Sequence, residues 1–570
     1  MPPLAGNSIF ALVLLPPPPI SEIPITFHSP TTGTWKERAL PPMAGLLLSG
    51  AFAASPANPF DFAYGPVWSY VALVPLFLRL GICIAAQDSI RHCFRQGWIS
   101  GAVFSLLTLY WVAFTQGGGP AVVGGTLLLA AYLGLFYGVF AASLSALVRS
   151  FGTAGWLGAP FLWTACEYVL ARGELGFPWL LLGHSQANVP ALIQYAEFSG
   201  VYGVSFWIIC VNVCVFALIS LSLRRQRISA LGALALLFLL PWLCGIALQR
   251  SSQLMRVDSG IKVAVVQNNI GLDKWQPGGR ERSLLSLERL SRQAAVEEPR
   301  LIVWPETALP CRVGPGSACG GFVENLVNDT GIPILTGAPG RNESGDPINA
   351  AYLFANASGV SQSYAKMHLV PFGERTPFVD SIPILSHVDW TAITGDLGPA
   401  EFARGERRTL FEFDLDGGRL GRFALLICFE SVFPDFVRRS VLEGAGFLVN
   451  ITNDSWFGAT AGPFQHAQLA VLRAVENRIA IARCATSGIS LFIDPFGRVT
   501  QETDIYTATY RVGQIEVATE RTFYTRHGDL FAQFALIASC LALGAVIWRR
   551  RTARADERRV PLSETVSGTV

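Results

Sequence analysis

The sequence predicts a multi-span α-helical membrane bundle of about eight helices joined to one water-soluble α/β domain, and three observations lead there. The chain has 570 residues, 51% hydrophobic and 15% charged, against the roughly 25% charge of an ordinary soluble domain. The deficit is local: Asp, Glu, Lys and Arg number 13 among positions 43–248 but 58 among positions 249–529. Within the charge-rich part, short β-branched runs alternate with helical stretches, as in a sheet covered by helices. Such apolar content excludes a disordered chain. A net charge of +2, with no basic block outside the tail, argues against nucleic acid as a partner.

Residues 1–42 read as a Pro-rich, disordered leader. The apolar run Ile9–Leu15 has no positive charge before it and is broken by Pro16–Pro19, so it makes a poor signal peptide. Met43 offers an alternative start. A span needs about 20 largely apolar residues. Seven candidates fall in 43–248, near 43–58, 67–85, 98–116, 121–148, 154–171, 204–222 and 229–248, and an eighth at 530–548 precedes a basic tail, 549–570.

Lys36, Arg38, Arg91, Arg95, Arg149, Arg224, Arg225, Arg227, Arg549–Arg551 and Arg554 all fall on one side, whereas the short loops of the other side hold only Arg172. Cations mark the cytoplasmic side, so the domain at 249–529 lies outside the cytoplasm. In a bacterium with two membranes that is the periplasmic face of the inner membrane.

In the polar domain, strands are predicted at Ile261–Val266, Leu301–Trp304, Ile332–Thr336, Phe423–Cys428 and Phe447–Ile451. Pro333 confines the third to a strand start or an edge. Helices are predicted at Arg280–Ala295 and Phe464–Ala485. Ala350–Ala365 reads as two strands joined through Asn356–Gly359, and Ile489–Asp494 continues the β pattern.

No phosphate-cradling Gly-rich loop or dinucleotide fingerprint is present. The histidines are scattered and the cysteines lack zinc-ligand spacing, so neither a metal nor another cofactor is expected. His368, His387, His466 and His527 could serve a histidine triad, but none sits in a nucleophile elbow. Four cysteines lie in the domain. Cys311 and Cys319 flank a Gly/Pro-rich loop, and both a disulfide and two free thiols stand open. Cys428 ends an apolar strand before a helix, where helix amides favour a thiolate; a buried structural thiol is the competing reading. Glu306 directly follows the strand Leu301–Trp304 and Pro305. Lys366 is one of four lysines beside 39 arginines, a hint of chemistry that needs a compact ammonium. Taken singly, each would be a surface charge.

Together, Trp304-Pro305-Glu306, Lys366 and Ile427-Cys428-Phe429-Glu430 resemble the Glu-Lys-Cys triad of the nitrilase superfamily. The chain from about 43 to 548 is similar to the apolipoprotein N-acyltransferases, membrane-anchored members of that superfamily. Further matches are Phe177-Pro178-Trp179-Leu180-Leu181-Leu182-Gly183, Val265-Val266-Gln267 with Lys274-Trp275, Pro371-Phe372-Gly373-Glu374, and Asn453-Asp454-Ser455-Trp456-Phe457-Gly458 followed by Gln465-His466.

The resemblance implies an αββα sandwich, with Cys428 as nucleophile, Glu306 as general base and Lys366 as oxyanion support. Glu374 and Glu430 are implied as supporting acids, and Trp275 and Trp456 as gate or lipid-contact residues. It also implies transfer of an acyl chain from a phospholipid, through a Cys428 thioester, to the N-terminal amine of a diacylglyceryl-modified lipoprotein, by a monomer and without cofactor. Limiting water would favour transfer over hydrolysis.

Two departures stand out: Phe429 replaces a common tyrosine, and Thr486-Ser487-Gly488 replaces a longer Asn-containing run, with Cys484 beside it as a candidate oxidation site. Glu167, inside the fifth span, reads as a packing contact. A membrane-tethered amidase would use the same triad with water as acceptor, but it needs neither the bundle nor the apolar loop 177–183. A transporter with an external sensor would need charges or broken helices in its spans.

Overall fold

The structure, a computed structural model, describes residues 35–52, 65–253, 260–314, 316–356, 358–382, 384–385, 401–415 and 420–557. Its first half is helical: α1 (Trp35–Ser49), α2 (Val74–Ala85), α3 (Ile90–Thr108), α4 (Pro120–Phe151), α5 (Ala159–Leu170), α6 (Ala196–Ser220) and α7 (Arg224–Gln253). Among the described residues, five segments are long and apolar enough to cross a membrane: Pro66–Ala85, Pro120–Leu170, Ala196–Ser220, Arg224–Arg250 and Leu530–Ala553. The second of these contains both α4 and α5. The shorter α1 and the more polar α3, which carries Arg91, His92 and Arg95, fall outside that set.

Several predicted boundaries shift. α1 starts at Trp35, inside the expected 1–42 segment, and contains Pro41 and Pro42. The Ser100 hydroxyl donates to the Pro41 carbonyl at 2.9 Å, giving an acceptor in this Pro-containing turn a partner from the neighbouring helix. Residues 1–34 and 53–64 lie outside the described set, and with them the end, 53–58, of the expected 43–58 span. α7 continues to Gln253, past the expected end of the bundle, and the C-terminal helix runs on into the basic tail as far as Glu557.

Packing in the bundle depends on close backbone approach. Gly97 and Gly101, four apart on α3, face Tyr137 of α4; a Cβ on Gly101 would lie 2.5 Å from that ring. Small residues at this spacing let spans approach when no hydrophobic effect drives them together.

The polar part forms two six-stranded sheets. The first contains β1 (Ile261–Gln267), β2 (Leu301–Val303), β3 (Ile334–Arg341), β4 (Pro347–Phe354) and β5 (Gln362–Ala365). The second contains β6 (Leu410–Asp414), β7 (Leu420–Ile427), β8 (Phe447–Thr452), β9 (Ile481–Ala485), β10 (Leu491–Ile493) and β11 (Val499–Thr500). β12 (Thr509–Ile515) returns to pair antiparallel with β1. The orders are 12-1-2-3-4-5 and 11-10-9-8-7-6, with parallel centres β1-β2-β3 and β7-β8-β9. β3 starts directly after Pro333, as the proline required.

Strand alternation builds the layers. Val263 and Val265 of β1 face Phe423, Leu425 and Phe447 between the sheets, whereas Ala264 and Val266 pack under the outer helices α8 (Gly279–Ala295) and α9 (Ala318–Thr330). α10 (Pro434–Leu442) and α11 (Gly462–Asn477) cover the second sheet, and their apolar face is continuous with the membrane bundle. The result is the expected αββα sandwich, one of whose helical layers rests on the spans.

The predicted helix Phe464–Ala485 is two elements. α11 stops at Asn477, Arg478 takes a left-handed φ of 47°, and Ile481–Ala485 enters the sheet beside β8. A short, mostly apolar run has too little periodicity to separate helix from buried strand, and pairing with β8 decides it.

Polar contacts lock the domain to the bundle. The chain passes Gly200 of α6 at φ 64°, against the Tyr524 ring of α12 (Phe523–His527), and the next amide, Val201 N–H, donates to Glu476 at 2.7 Å. Glu476 is itself paired with fully buried Arg473 at 2.8 Å. Gln465 accepts from both Trp111 and Trp179 at 3.0 Å. The final helix, α13 (Leu530–Glu557), leaves the domain just after Asp529, which pairs with Arg172 at 2.9 Å.

Candidate active site

Three strand ends converge. Glu306 follows β2, Lys366 follows β5, and Cys428 follows β7. Glu306 and Lys366 are 5% and 1% exposed, with Nζ 3.4 Å from Oε1. Lys366 also donates to Glu374 at 2.9 Å. Asn349, on β4, spans both acids, its amide donating to Glu306 at 2.7 Å and Glu374 at 3.0 Å. The second Glu306 oxygen accepts from Asn453 N–H at 2.9 Å. Burial opposes the charge on Lys366, but Glu374, Glu306 and Cys428 outweigh it and hold the ammonium above its ordinary range. A buried charge that keeps such partners is fixed in place.

Cys428 is buried and opens a short 3₁₀ turn, Cys428–Val432, with a left-handed φ of 52°. The expected thiolate-favouring helix end is not what decides its state. Burial first, then Glu306, push its thiol above the usual range, while Lys366 and the Thr452 hydroxyl pull the other way. The resting group is therefore a thiol that needs a base.

A left-handed non-glycine residue costs about 1–3 kcal/mol and persists only where its surroundings hold it. Here Ser431 Oγ donates to the Cys428 carbonyl at 2.9 Å and His466 Nε2 lies 3.2 Å from it. His466 Nδ1 is 2.9 Å from Asp454, which accepts from Arg483 at 2.8 Å. Burial opposes ionising Asp454, but Arg483 and His466 outweigh it and keep the carboxyl below its ordinary range.

Glu430 fixes the other side of Cys428. One oxygen accepts from Tyr364 at 2.7 Å, Met367 N–H at 2.7 Å and His368 N–H at 3.1 Å; the other accepts from Ile427 N–H at 2.8 Å. Burial pushes its carboxyl up to about 6 against these bonds.

The two tryptophans differ. Trp275 is 52% exposed, whereas Trp456 is half-buried and its carbonyl accepts from Gln116 N–H at 2.9 Å. The 177–183 segment is not an exposed lipid-facing loop. Residues Pro178–Leu182 are buried, and Trp179 lies against Phe429 at 6.5 Å and the His466 ring at 5.2 Å. Glu167 is the packing contact expected of it, accepting from Trp163 at 2.9 Å and Leu182 N–H at 2.6 Å. Phe429, in place of tyrosine, joins this cluster and meets Phe433 edge-on at 5.0 Å.

Cys484 is fully buried between the sheets, which removes it as an oxidation site. Cys311 and Cys319 are joined in a disulfide. His387 lies outside the described residues.

The sequence reading did not single out Asn349 or Arg483, and it assigned no role to Lys274 or to the pairing of Asp454 with His466. Lys274 is 2% exposed and donates to Thr307, the neighbour of Glu306, at 2.8 Å; burial, opposed by Glu306, brings it down to about 7. Its signal was present, since it is one of the four lysines. Asn349 carries no signal in a single sequence.

A carbon-nitrogen hydrolase family model matches residues 262–524, the span of both sheets. The sandwich, with Glu306, Lys366 and Cys428 at its strand ends, is a nitrilase-superfamily domain. The preceding helices match the apolipoprotein N-acyltransferase N-terminal domain over residues 44–214. Across both parts the chain is 34% identical to the apolipoprotein N-acyltransferase of Chlorobaculum tepidum, covering 90% of this chain and 97% of that one. It is 33% identical to that of Geobacter metallireducens, covering 90% and 95%. The chain belongs to the apolipoprotein N-acyltransferase family, and is a membrane acyltransferase of lipoprotein biosynthesis. A solved nitrilase-superfamily protein of Saccharomyces cerevisiae, Nit3, aligns with 45% of this chain and 90% of its own, at 20% identity and a TM-score of 0.35.

Proposed function

We propose that the protein N-acylates lipoproteins by a two-step exchange at Cys428, with a membrane phospholipid as donor. Glu306 takes the thiol proton as Sγ attacks the donor's ester carbonyl. The carbonyl oxygen gains negative charge beside the Lys366 ammonium, a stabilisation worth several kcal/mol in a dry site. The C–O bond then breaks, the lysophospholipid oxygen takes the proton back from Glu306, and a thioester remains.

The α-amine of diacylglyceryl-cysteine enters as the free base and attacks that thioester. Glu306 accepts the amine proton, the C–S bond breaks, and the proton returns to sulfur. Ester to thioester to amide ends in the most stable acyl bond, so no nucleotide is required. Ping-pong kinetics follow from the shared site.

Glu374 and Asn349 orient Lys366 and Glu306, and Glu430 orients Cys428. The exposed Trp275 indole is a contact for incoming lipid, and Trp456 couples the site to the bundle. The catalytic domain faces the periplasm from the inner membrane, and the protein works as a monomer. The observation that carries this reading is the buried Lys366 held between Glu306 and Glu374 next to a buried thiol.

The test compares wild type with Cys428→Ala in membranes containing acyl-labelled phospholipid. Hydroxylamine-sensitive label is expected on wild type alone, and equal labelling of the variant would refute the thioester. A lipoprotein amine still free after a thioester has formed would point to hydrolysis instead.

A further inference from the structure

A cavity of about 270 Å³ opens between the bundle and the domain, beside the site but outside its catalytic contacts. Three guanidinium side chains line it: Arg172, Arg408 and Arg439. The two lining carboxylates are already engaged, Asp529 with Arg172 at 2.9 Å and Asp435 with Arg439 at 2.8 Å. Arg408 meets Glu443 only at 3.6 Å, and its buried Nε has no hydrogen-bond partner among the described residues. Nor has the buried Nδ1 of His368. That ring is held between Phe433 and Phe436, with centroids 4.6 Å from each, and burial with the nearby Arg408 brings it down to about 4, so it is neutral. Two orphaned buried nitrogens beside an excess of guanidinium suit an anion with several acceptor oxygens.

The location narrows the source of that anion. Arg172 lies just beyond the end of α5 at Leu170, and Asp529 just before α13 begins at Leu530. Both helices lie in apolar spans, so the cavity sits at the depth where hydrocarbon gives way to headgroups. One wall leads to the nucleophile, because Phe433 contacts Phe429, the residue after Cys428, at 5.0 Å.

We propose that this junction cavity holds the phosphodiester of the phospholipid acyl donor, with Arg408 and His368 supplying its buried contacts. The proposal rests on the phospholipid-donor reading above. It adds where the donor's headgroup end is gripped, and it makes phosphate a determinant of donor choice. Arg439 and Arg172 add charge at the mouth, where their side chains are 56% and 41% exposed.

The test has two readouts on the full-length protein. Native mass spectrometry of the Cys428→Ala protein reports retained phosphatidylethanolamine without any reaction. Arg408→Gln in that background is expected to retain about tenfold less, as for loss of one charge-assisted contact. Equal retention overturns the proposal, and so does displacement of the lipid by inorganic phosphate, which would assign the cavity to free phosphate.

In the otherwise wild-type protein, the ratio of kcat/KM for phospholipid to that for a phosphate-free p-nitrophenyl ester is expected to fall about tenfold in Arg408→Gln and less in Arg439→Gln. A merely structural role lowers both donors alike and leaves the ratio intact, which would overturn the proposal. Failure of wild type to form any thioester refutes the two-step reaction instead, and lipid retention still decides the site.

Discussion

Replacing Glu430 by glutamine removes one acceptor from a place that needs it. Four donors converge on this fully buried carboxylate, three on one oxygen and Ile427 N–H on the other at 2.8 Å. Glutamine retains the first oxygen and turns an NH2 toward Ile427. A charge-assisted bond is lost and a buried N–H is left facing another donor, at about 1.5–3 kcal/mol. Ile427 immediately precedes Cys428, so the change falls on the backbone that positions the proposed nucleophile. If fully expressed in the transition state, the cost slows acylation by about 10- to 160-fold.

The same carboxyl has a stability signature. Its folded-state value of about 6 lies above the ordinary 4.5, so the folded chain holds the proton more tightly. Stability therefore falls as pH rises from about 4.5 to about 6, by about 2 kcal/mol from this group. The variant lacks that slope. Single-turnover thioester formation at about pH 7 and denaturation across about pH 4–7, the range of carboxyl titration, check both effects. Wild-type acylation together with an unchanged slope would refute the assignment of Glu430 as the clamp on β7.

Three further outcomes are expected. Lys366→Met leaves Glu306 and Glu374 without their cation and lowers acylation by at least about 10²-fold, with Lys366→Arg also impaired because the site is 1% exposed; labelling above a tenth of wild type would contradict this. Gly200→Ala puts a side chain at φ 64° with its Cβ 2.6 Å from the Tyr524 ring, so its thermal midpoint should drop, reflecting a loss above the roughly 1–2 kcal/mol of backbone strain alone. Cys311→Ser opens a loop of sequence separation 8. It should cost about 2–3 kcal/mol in non-reducing denaturation while thioester formation persists, since the bridge touches none of the catalytic groups.

Strand ends were legible because their pattern is local. An apolar β-branched run followed by Glu306 or Cys428 marks a group presented at a sheet edge whatever the rest of the chain does. Lysine scarcity likewise marked Lys366, and applied evenly it would have marked Lys274. The helix expected to run on to Ala485 failed for the complementary reason: Ile479–Ala485 is apolar enough for either state, and the parallel pairing of β9 with β8 is a long-range fact. The surroundings of the 177–183 loop were illegible on the same ground. Apolar character predicts burial, but not whether lipid or protein buries it, and here Phe429, Phe457 and His466 do so.

Charge partition and hydrophobic periodicity alone determined a membrane bundle carrying an α/β domain, and three short motifs marked the candidate reactive groups, because each signal resides in neighbouring residues. Tertiary structure decided what binds those signals together: Asn349 across two acids, Arg483 and Asp454 behind His466, and Glu476 at the Val201 amide of the bundle. These contacts join residues from 12 to 275 positions apart. Their worth depends on burial and on a hydrogen-bond partner supplied by another element, quantities that exist only once the chain has folded.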